Sequence, residues 1–230
     1  MEFLKKVAEK LEMNNMQTFV LKTKEEVYPL VKKLIPKEAV VSFGGSVTLS
    51  DTNVLEGLEK DGYKLLDRRK EGADVQKIYR DVFSADFYLS SSNAITENGE
   101  LYNVDGNANR VAAITFGPKN VIIIAGKNKI VKNLDAAVRR VKEYVAPKNC
   151  VRLGLDTYCA KNGKCVSLNK ENPEMSEGCA SDSRICCDYV ISSRQRIKNR
   201  IKVILVNEDL GYWLEGYIWV KKLKNYQALN

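Results

Sequence analysis

The 230-residue sequence contains no histidine. That absence excludes Ser-His-Asp and Cys-His catalysis, histidine metal ligation and a histidine general base. Any proton transfer must use Asp, Glu, Lys, Tyr, Cys or water. Long apolar runs are missing too. The longest, Val121 to Ala125, falls far short of the roughly 20 residues that cross a bilayer, so no membrane insertion is expected. The amino-terminal MEFLKKVAEKLEM is amphipathic, with Phe3, Leu4, Val7, Ala8 and Leu11 on one face. It has neither the apolar region nor the cleavage site of a signal peptide, and a cytoplasmic location is expected. No G-x-G-x-x-G occurs, so no NAD of the usual kind is expected, and there is no internal repeat.

Hydrophobic content of 44% and charge of 29% are ordinary for a soluble globular protein. The length suits a single domain over 1–230, with a helical part at 1–36 and a cysteine-rich insert at 150–190. A net charge of +8 raises the question of nucleic acid. The densest basic stretch, Arg194, Arg196, Lys198, Arg200 and Lys202, alternates with Gln195, Ile197, Asn199 and Ile201, as in a solvated connector leading into a strand. The remaining positive charge is dispersed among acids. No nucleic-acid partner is expected; such a surface can steer a small carboxylate or phosphate.

Apolar spacing predicts a helix over Lys24–Ile35 ended by Pro36, and a strand over Ala39–Phe43 leading to Gly44-Gly45-Ser46. Asp51 can cap a helix carrying Val54, Leu55 and Leu58, closed by Gly62. Tyr63–Leu66, Phe87–Ser90, Val121–Ala125 and Ile201–Val206 read as strands, and Arg110–Phe116 as a helical turn or two. Leu134, Ala137, Val138, Val141 and Val145 mark a helix that stops before Pro147, with Val151–Leu155 a further segment. Strands alternating with helices predict an α/β fold with a largely parallel sheet flanked by helices. Cys159–Cys187 shows almost no apolar periodicity and reads as an insert held by something other than a core.

Between Ala94 and Lys129, Asn98-Gly99, Asp105-Gly106 and Gly117-Pro118 give three turn signals in close succession, with Glu97 and Arg110 near the turns. A structural loop needs one such pair; three suggest backbone shaped around a ligand. Phe43-Gly44-Gly45-Ser46 with Thr48-Leu49, Gly62-Tyr63 to Asp67-Arg68, Asn103 to Asn107, Asn109 to Ala113, Phe116-Gly117-Pro118 and Ala125 to Lys129 together resemble, in order, the signature of the LUD domain. This is the lactate-utilisation family, whose members include the third subunit of the bacterial lactate oxidation system. The resemblance covers nearly the whole chain. It implies a fold related to ribose-phosphate isomerase, glucosamine-phosphate deaminase and CoA-transferase, with formyltetrahydrofolate cyclo-ligase as another cousin. It also implies a component of an oxidoreductase system acting on lactate or another small 2-hydroxy acid.

Several residues become site candidates. Gly44, Gly45 and Ser46 lie between a strand and a helix, where backbone N–H groups favour an anion, although a plain tight turn needs the same residues. Glu97-Asn98-Gly99 resembles the Glu-Asn-Gly element of CoA-transferases without its flanking residues; Glu97 is either a pocket residue or an exposed acid at a hairpin tip. Asn103, Asp105, Asn107, Asn109 and Arg110 form the densest polar cluster. Arg110 could hold a carboxylate through a bidentate fork, and Asp105 could act as a base or hold Arg110 in place. Lys127 and Lys129 follow the Val121 strand where a sheet edge would present them to the same crevice; Phe116 and Lys127 complete the expected ligand set, and for Lys129 a plain solvated lysine is the stronger reading. Glu97, Asp105 and Arg110 are the catalytic candidates. Gly44 to Ser46, Glu97, Asn103 to Arg110 and Phe116 are expected to share one crevice at the carboxyl ends of parallel strands.

All six cysteines fall between Cys150 and Cys187. In a reducing compartment that favours metal or redox chemistry over disulfides. Members of the LUD branch often end in a C-x5-C-x2-C-x6-C pattern, and Cys159, Cys165, Cys179 and Cys186 match its outer intervals. Thirteen residues replace the central two. The resemblance thus implies an iron–sulfur cluster, with zinc as the alternative; Cys187 could replace Cys186, and reduced thiols in a loose insert remain open. A noncatalytic metal-binding subunit that organises redox partners is the second functional reading. A sugar-phosphate or CoA-ester enzyme, by fold analogy, is the third.

Overall fold

The structure, a computed structural model, describes residues 1–212, so the last part of the single-domain span 1–230 lies outside the described residues. The chain opens with α1 (Glu2–Met13), β1 (Gln17–Leu21), α2 (Val27–Leu34), β2 (Val40–Phe43), α3 (Val47–Asp51), α4 (Val54–Lys60) and β3 (Lys64–Leu66). There follow α5 (Val75–Asp81), β4 (Phe87–Ser90), β5 (Ala94–Thr96), β6 (Leu101–Asp105), α6 (Asn109–Thr115), β7 (Asn120–Gly126) and β8 (Ile130–Val131). The last elements are α7 (Leu134–Arg140), α8 (Ala146–Arg152), α9 (Tyr158–Asn162), β9 (Asp188–Ser192) and β10 (Ile201–Val206).

Six strands form a parallel sheet in the order β1-β10-β7-β4-β2-β3. The central strand explains why it is covered on both faces. Along β7 successive side chains point to opposite sides: Ile122 and Ile124 enter one core with Val27 and Val31 of α2 and Leu55 and Leu58 of α4. Val121, Ile123 and Ala125 enter the other with Val7 and Leu11 of α1 and Ala113 and Ile114 of α6. Each such fully buried branched side chain contributes about 1.5–3 kcal/mol. The Leu4, Val7, Ala8, Leu11 stripe of α1 is buried as its spacing requires, while Phe3 stays about half exposed.

A second, four-stranded sheet, β8-β5-β6-β9, stands at the end of the first. β5 and β6 form an antiparallel hairpin whose turn includes Gly99, at φ +79°, where a Cβ would come 2.7 Å from the Lys10 carbonyl carbon. Glycine is therefore required by both conformation and space.

Three expectations need correction. The helix predicted to stop before Pro147 continues: α7 passes through a π-helical stretch, Val141–Val145, into α8 with Pro147 in its first turn. Proline is accommodated there because the π-helical stretch just before it breaks the regular ladder, and the Lys142 carbonyl accepts the Cys165 N–H at 2.8 Å instead. The cysteine-rich segment is not held apart from a core. It ends in β9, which pairs antiparallel with β6, and Cys186 and Tyr189 pack against a third apolar cluster around Tyr102, Val104 and Val141. Arg200 is buried rather than solvated, donating to the carbonyls of Ala113, Ile114 and Pro118 and so capping the end of α6.

Candidate functional site

Because the main sheet is parallel, β2, β4 and β7 present their carboxyl ends on one edge. Three loops leave that edge: Gly44–Ser46 after β2, Ser91–Asn93 after β4, and the tight turn Lys127–Lys129 after β7. With the 105–110 loop and residues 182–185 they surround a cavity of about 520 Å³. Gly45, Ser46, Asp105, Gly106, Asn107, Asn109 and Arg110 all line it. Gly44 lies just behind, where a Cβ would come 3.1 Å from Arg110 Cδ and 3.0 Å from Tyr88 Oη. Ser46 caps α3, accepting from the Leu49 N–H at 3.4 Å.

Arg110 and Asp105 are engaged with the protein itself. Arg110 Nε donates to Asp105 Oδ1 at 2.8 Å, Nη1 to Asn103 Oδ1 and the Ser91 carbonyl, and Nη2 to Asn93 Oδ1 and the Val104 carbonyl. All five guanidinium N–H groups are thus occupied. Asp105 Oδ2 accepts the backbone N–H groups of Arg110 and Val111, closing the start of α6. Of the two roles open to Asp105, the geometry displays the one that fixes Arg110. Asn103 is wholly buried, accepts from Arg110 and has no partner for its Nδ2 among the described residues; it does not line the cavity.

Three candidates lie elsewhere. Glu97 is exposed at the tip of the β5–β6 hairpin, beside α1, where Asn14 Nδ2 donates to the Asn98 and Gly99 carbonyls. Phe116 is 84% exposed. Lys127 points to solvent, and none of the three lines the cavity.

Lys129, expected to be solvated, is the buried lysine of the site. It is 8% exposed, and its Nζ donates to Thr48 Oγ1 and Ser91 Oγ, each at 2.7 Å. Ser91 Oγ in turn donates to the Ile124 carbonyl. Burial, then the positive charges of Arg140 and Arg110, pull the Lys129 ammonium down to about 7, with Asp51 opposing. Burial also lowers Arg140 to about 10. The short turn after β7 points its first residue, Lys127, outward and its third, Lys129, inward, a choice that residue type alone does not reveal.

Sequence reasoning also missed the arginines. Arg68, Arg140, Arg152 and Arg184 line the cavity with Arg110 and Lys129, six cations facing the two acids Asp105 and Asp182. Arg184 is committed to the carbonyls of Ser176, Cys179 and Cys186. Arg68 donates from Nη1 to the Phe43 carbonyl, Arg140 to the carbonyls of Asn128 and Tyr212, and Arg152 to Asn149 and the Tyr212 hydroxyl. Each of these three retains a terminal nitrogen without an acceptor among the described residues. The Asp67-Arg68 pair was the available signal, since it stands among the residues that resemble the LUD signature.

A second, smaller cavity of about 20 Å³ lies against the π-helical stretch and the start of α8, and Cys159, Cys165, Cys179 and Cys186 all line it, with Lys142, Glu177 and Tyr189. Cys159 Sγ is 3.7 Å from Cys150 Sγ, and Cys165 Sγ is 3.3 Å from Ser167 Oγ. Among the described residues no three Cys, Asp or Glu side chains stand together as a ready ligand set. The donor type suits zinc or an iron–sulfur cluster, and the four sulfurs share one cavity, but they are not drawn in around a common point.

A family model described as the LUD domain matches residues 4–206. Among solved structures, a DUF162 family protein from Deinococcus radiodurans is similar, with 13% identity and a TM-score of 0.49 over 90% of this chain and 97% of that one. No curated protein matches the sequence. No helix among the described residues is long and apolar enough to cross a membrane.

Proposed function

The chain belongs to the LUD domain family, and from that premise we propose that it is a component in the oxidation of lactate or another small 2-hydroxy acid, binding the acid in the strand-end cavity. The observation that supports this reading is the charge of the cavity wall: six cations against two acids, one of which already holds Arg110. Such an excess raises the local concentration of anions and favours them once water is displaced. Since Arg110 and Arg184 are committed to internal partners, the ligand carboxylate falls to Arg68, Arg140 or Arg152, whose free N–H groups suit a carboxylate. Lys129 and the Ser91 and Thr48 hydroxyls supply the groups that can exchange a proton with the 2-hydroxyl. The electrons go to a partner redox subunit in this reading. At about 520 Å³ the cavity falls within the range of small-molecule sites and leaves a three-carbon acid ample room beside it.

Calorimetric titration with L-lactate, glycolate and inorganic phosphate tests the proposal. Binding of a hydroxy acid, weakened at least about tenfold in Arg140→Gln or Arg68→Gln, is the expected result, corresponding to about 1.4 kcal/mol. Binding of phosphate alone would favour a phosphate-ester ligand, and silence with all three ligands would sink both.

One further observation favours a second role. That Cys159, Cys165, Cys179 and Cys186 line one cavity supports a metal held by this segment, as zinc or an iron–sulfur cluster, once the sulfurs close on it. The chemistry proposed for the main cavity uses none of it. Metal analysis of anaerobically purified protein tests this role separately.

A further inference from the structure

Lys129 is the one lysine among the residues lining the large cavity, and its surroundings differ from those of a lysine kept as a charge. A buried ammonium is normally matched by a carboxylate. Here Nζ meets two neutral hydroxyls at 2.7 Å, and no carboxylate among the described residues lies within ion-pair distance. The nearby acids are engaged: Asp105 with Arg110 and the start of α6, Asp51 with the Gly211 N–H at 2.7 Å. Arg140 and Arg110 add positive charge on the same side. Ser91 donates its own hydrogen to Ile124, so its oxygen is left to accept from the lysine. Two N–H groups can thus be directed at Thr48 and Ser91, which leaves the neutral amine a lone pair to present to a ligand. Desolvation beside other cations is the condition that turns a lysine into a nucleophile at neutral pH, and the depressed Lys129 value near 7 agrees with it.

We propose that Lys129 forms an imine with the carbonyl carbon of a small 2-oxo acid whose carboxylate is held by the cavity arginines. The inference rests on the reading of this cavity as a carboxylate site and adds a covalent activity to it. Nζ attacks the carbonyl carbon, a C–N bond forms, and the carbonyl oxygen leaves as water carrying the two hydrogens of the amine. No oxidant or reductant is consumed. Thr48 and Ser91 are placed to keep the amine oriented. A 2-oxo acid is the product class of 2-hydroxy-acid oxidation, so the site would retain the oxidised form of its ligand.

The test is trapping on the full chain: pyruvate or glyoxylate with borohydride, intact mass, then peptide mapping. The expected result is one reduced adduct per chain, on Lys129, at least about tenfold above any surface lysine, and absent from Lys129→Met and Lys129→Arg. Because the wild-type map alone locates the adduct, the test survives a variant that fails to fold. A parallel titration with L-lactate, which has no carbonyl to condense, separates the two ideas. Lactate binding without a Lys129 adduct overturns the imine and leaves the carboxylate site standing. Adducts scattered over surface lysines overturn the imine as well, and the absence of both adduct and lactate binding overturns both.

Discussion

Lys129 Nζ lies 2.7 Å from Ser91 Oγ, and this contact joins the turn after β7 to the loop after β4 at the floor of the cavity. The price of placing a lysine there is a charge without a carboxylate. Its value falls to about 7 through burial and then the charges of Arg140 and Arg110, opposed by Asp51, whereas an unfolded lysine titrates near about 10.4.

The pH dependence of stability follows. Below about pH 7 both states are protonated and the folded state carries the full burden of the buried charge. Between about 7 and 10.4 the unfolded chain binds the extra proton, so the contribution of this group to stability rises with pH and then levels off. Lys129→Met should therefore stabilise the protein most below neutrality, by up to a few kcal/mol, with the gain fading towards about pH 10. Urea midpoints for both proteins across that range check it. A difference that does not vary with pH means that Lys129 does not titrate near neutrality.

Arg110→Lys is the second prediction. A lysine has three N–H groups on one nitrogen and cannot reach Asp105, Asn103, Asn93 and the two carbonyls that Arg110 now joins. The side chain is 12% exposed and Asp105 is 10% exposed, so the orphaned groups stay largely out of water. The expected loss is about 2–4 kcal/mol of folding stability, read by denaturant unfolding. Unchanged stability with abolished L-lactate binding would instead assign the guanidinium to the ligand.

How far these features were legible depends on whether their cause is local. Val121–Ala125 was readable because a central parallel strand is apolar on both faces. β1 was not, since Gln17–Leu21 is a half-buried edge strand, nor β9, a short edge strand whose Tyr189, Val190 and Ile191 lie between polar ends and are only partly buried. The cluster from Asn103 to Arg110 stood out by density. Its structural meaning did not, because two partners of Arg110, Asn93 and the Ser91 carbonyl, come from another loop. Lys127 and Lys129 are chemically identical in the sequence, and only the turn after β7 sends one outward and the other in. The arginines that make the cavity cationic are scattered from Arg68 to Arg184, and the fold alone assembles them.

Glu97 gives a third, deliberately negative prediction. It stands exposed on a hairpin tip, outside the large cavity. Glu97→Gln should leave L-lactate affinity unchanged and alter stability by no more than about 0.5 kcal/mol, the usual scale for an exposed substitution. A tenfold loss of binding would show that the hairpin folds over the ligand and restore Glu97 to the site.

The last prediction concerns the sulfurs. Cys159, Cys165, Cys179 and Cys186 line one small cavity, whereas Cys150 is buried in α8 and reaches it only through Cys159, 3.7 Å away. If the four bind a metal, replacing any one with serine should lower metal content and speed hydrogen exchange across residues 150–187, because ligation offsets the entropy of ordering a segment with few periodic apolar residues. Cys150→Ala should keep the metal and cost about 1 kcal/mol of packing. Cys187→Ser should keep the metal and leave stability unchanged, since Cys187 is exposed and does not line that cavity. Iron–sulfur would give a brown protein whose visible absorption bleaches on reduction; zinc would leave it colourless. Anaerobically purified protein that contains neither metal, yet protects residues 150–187 from exchange, would show that Arg184 and the β6–β9 pairing order the segment unaided. The shared cavity would then be a product of packing alone.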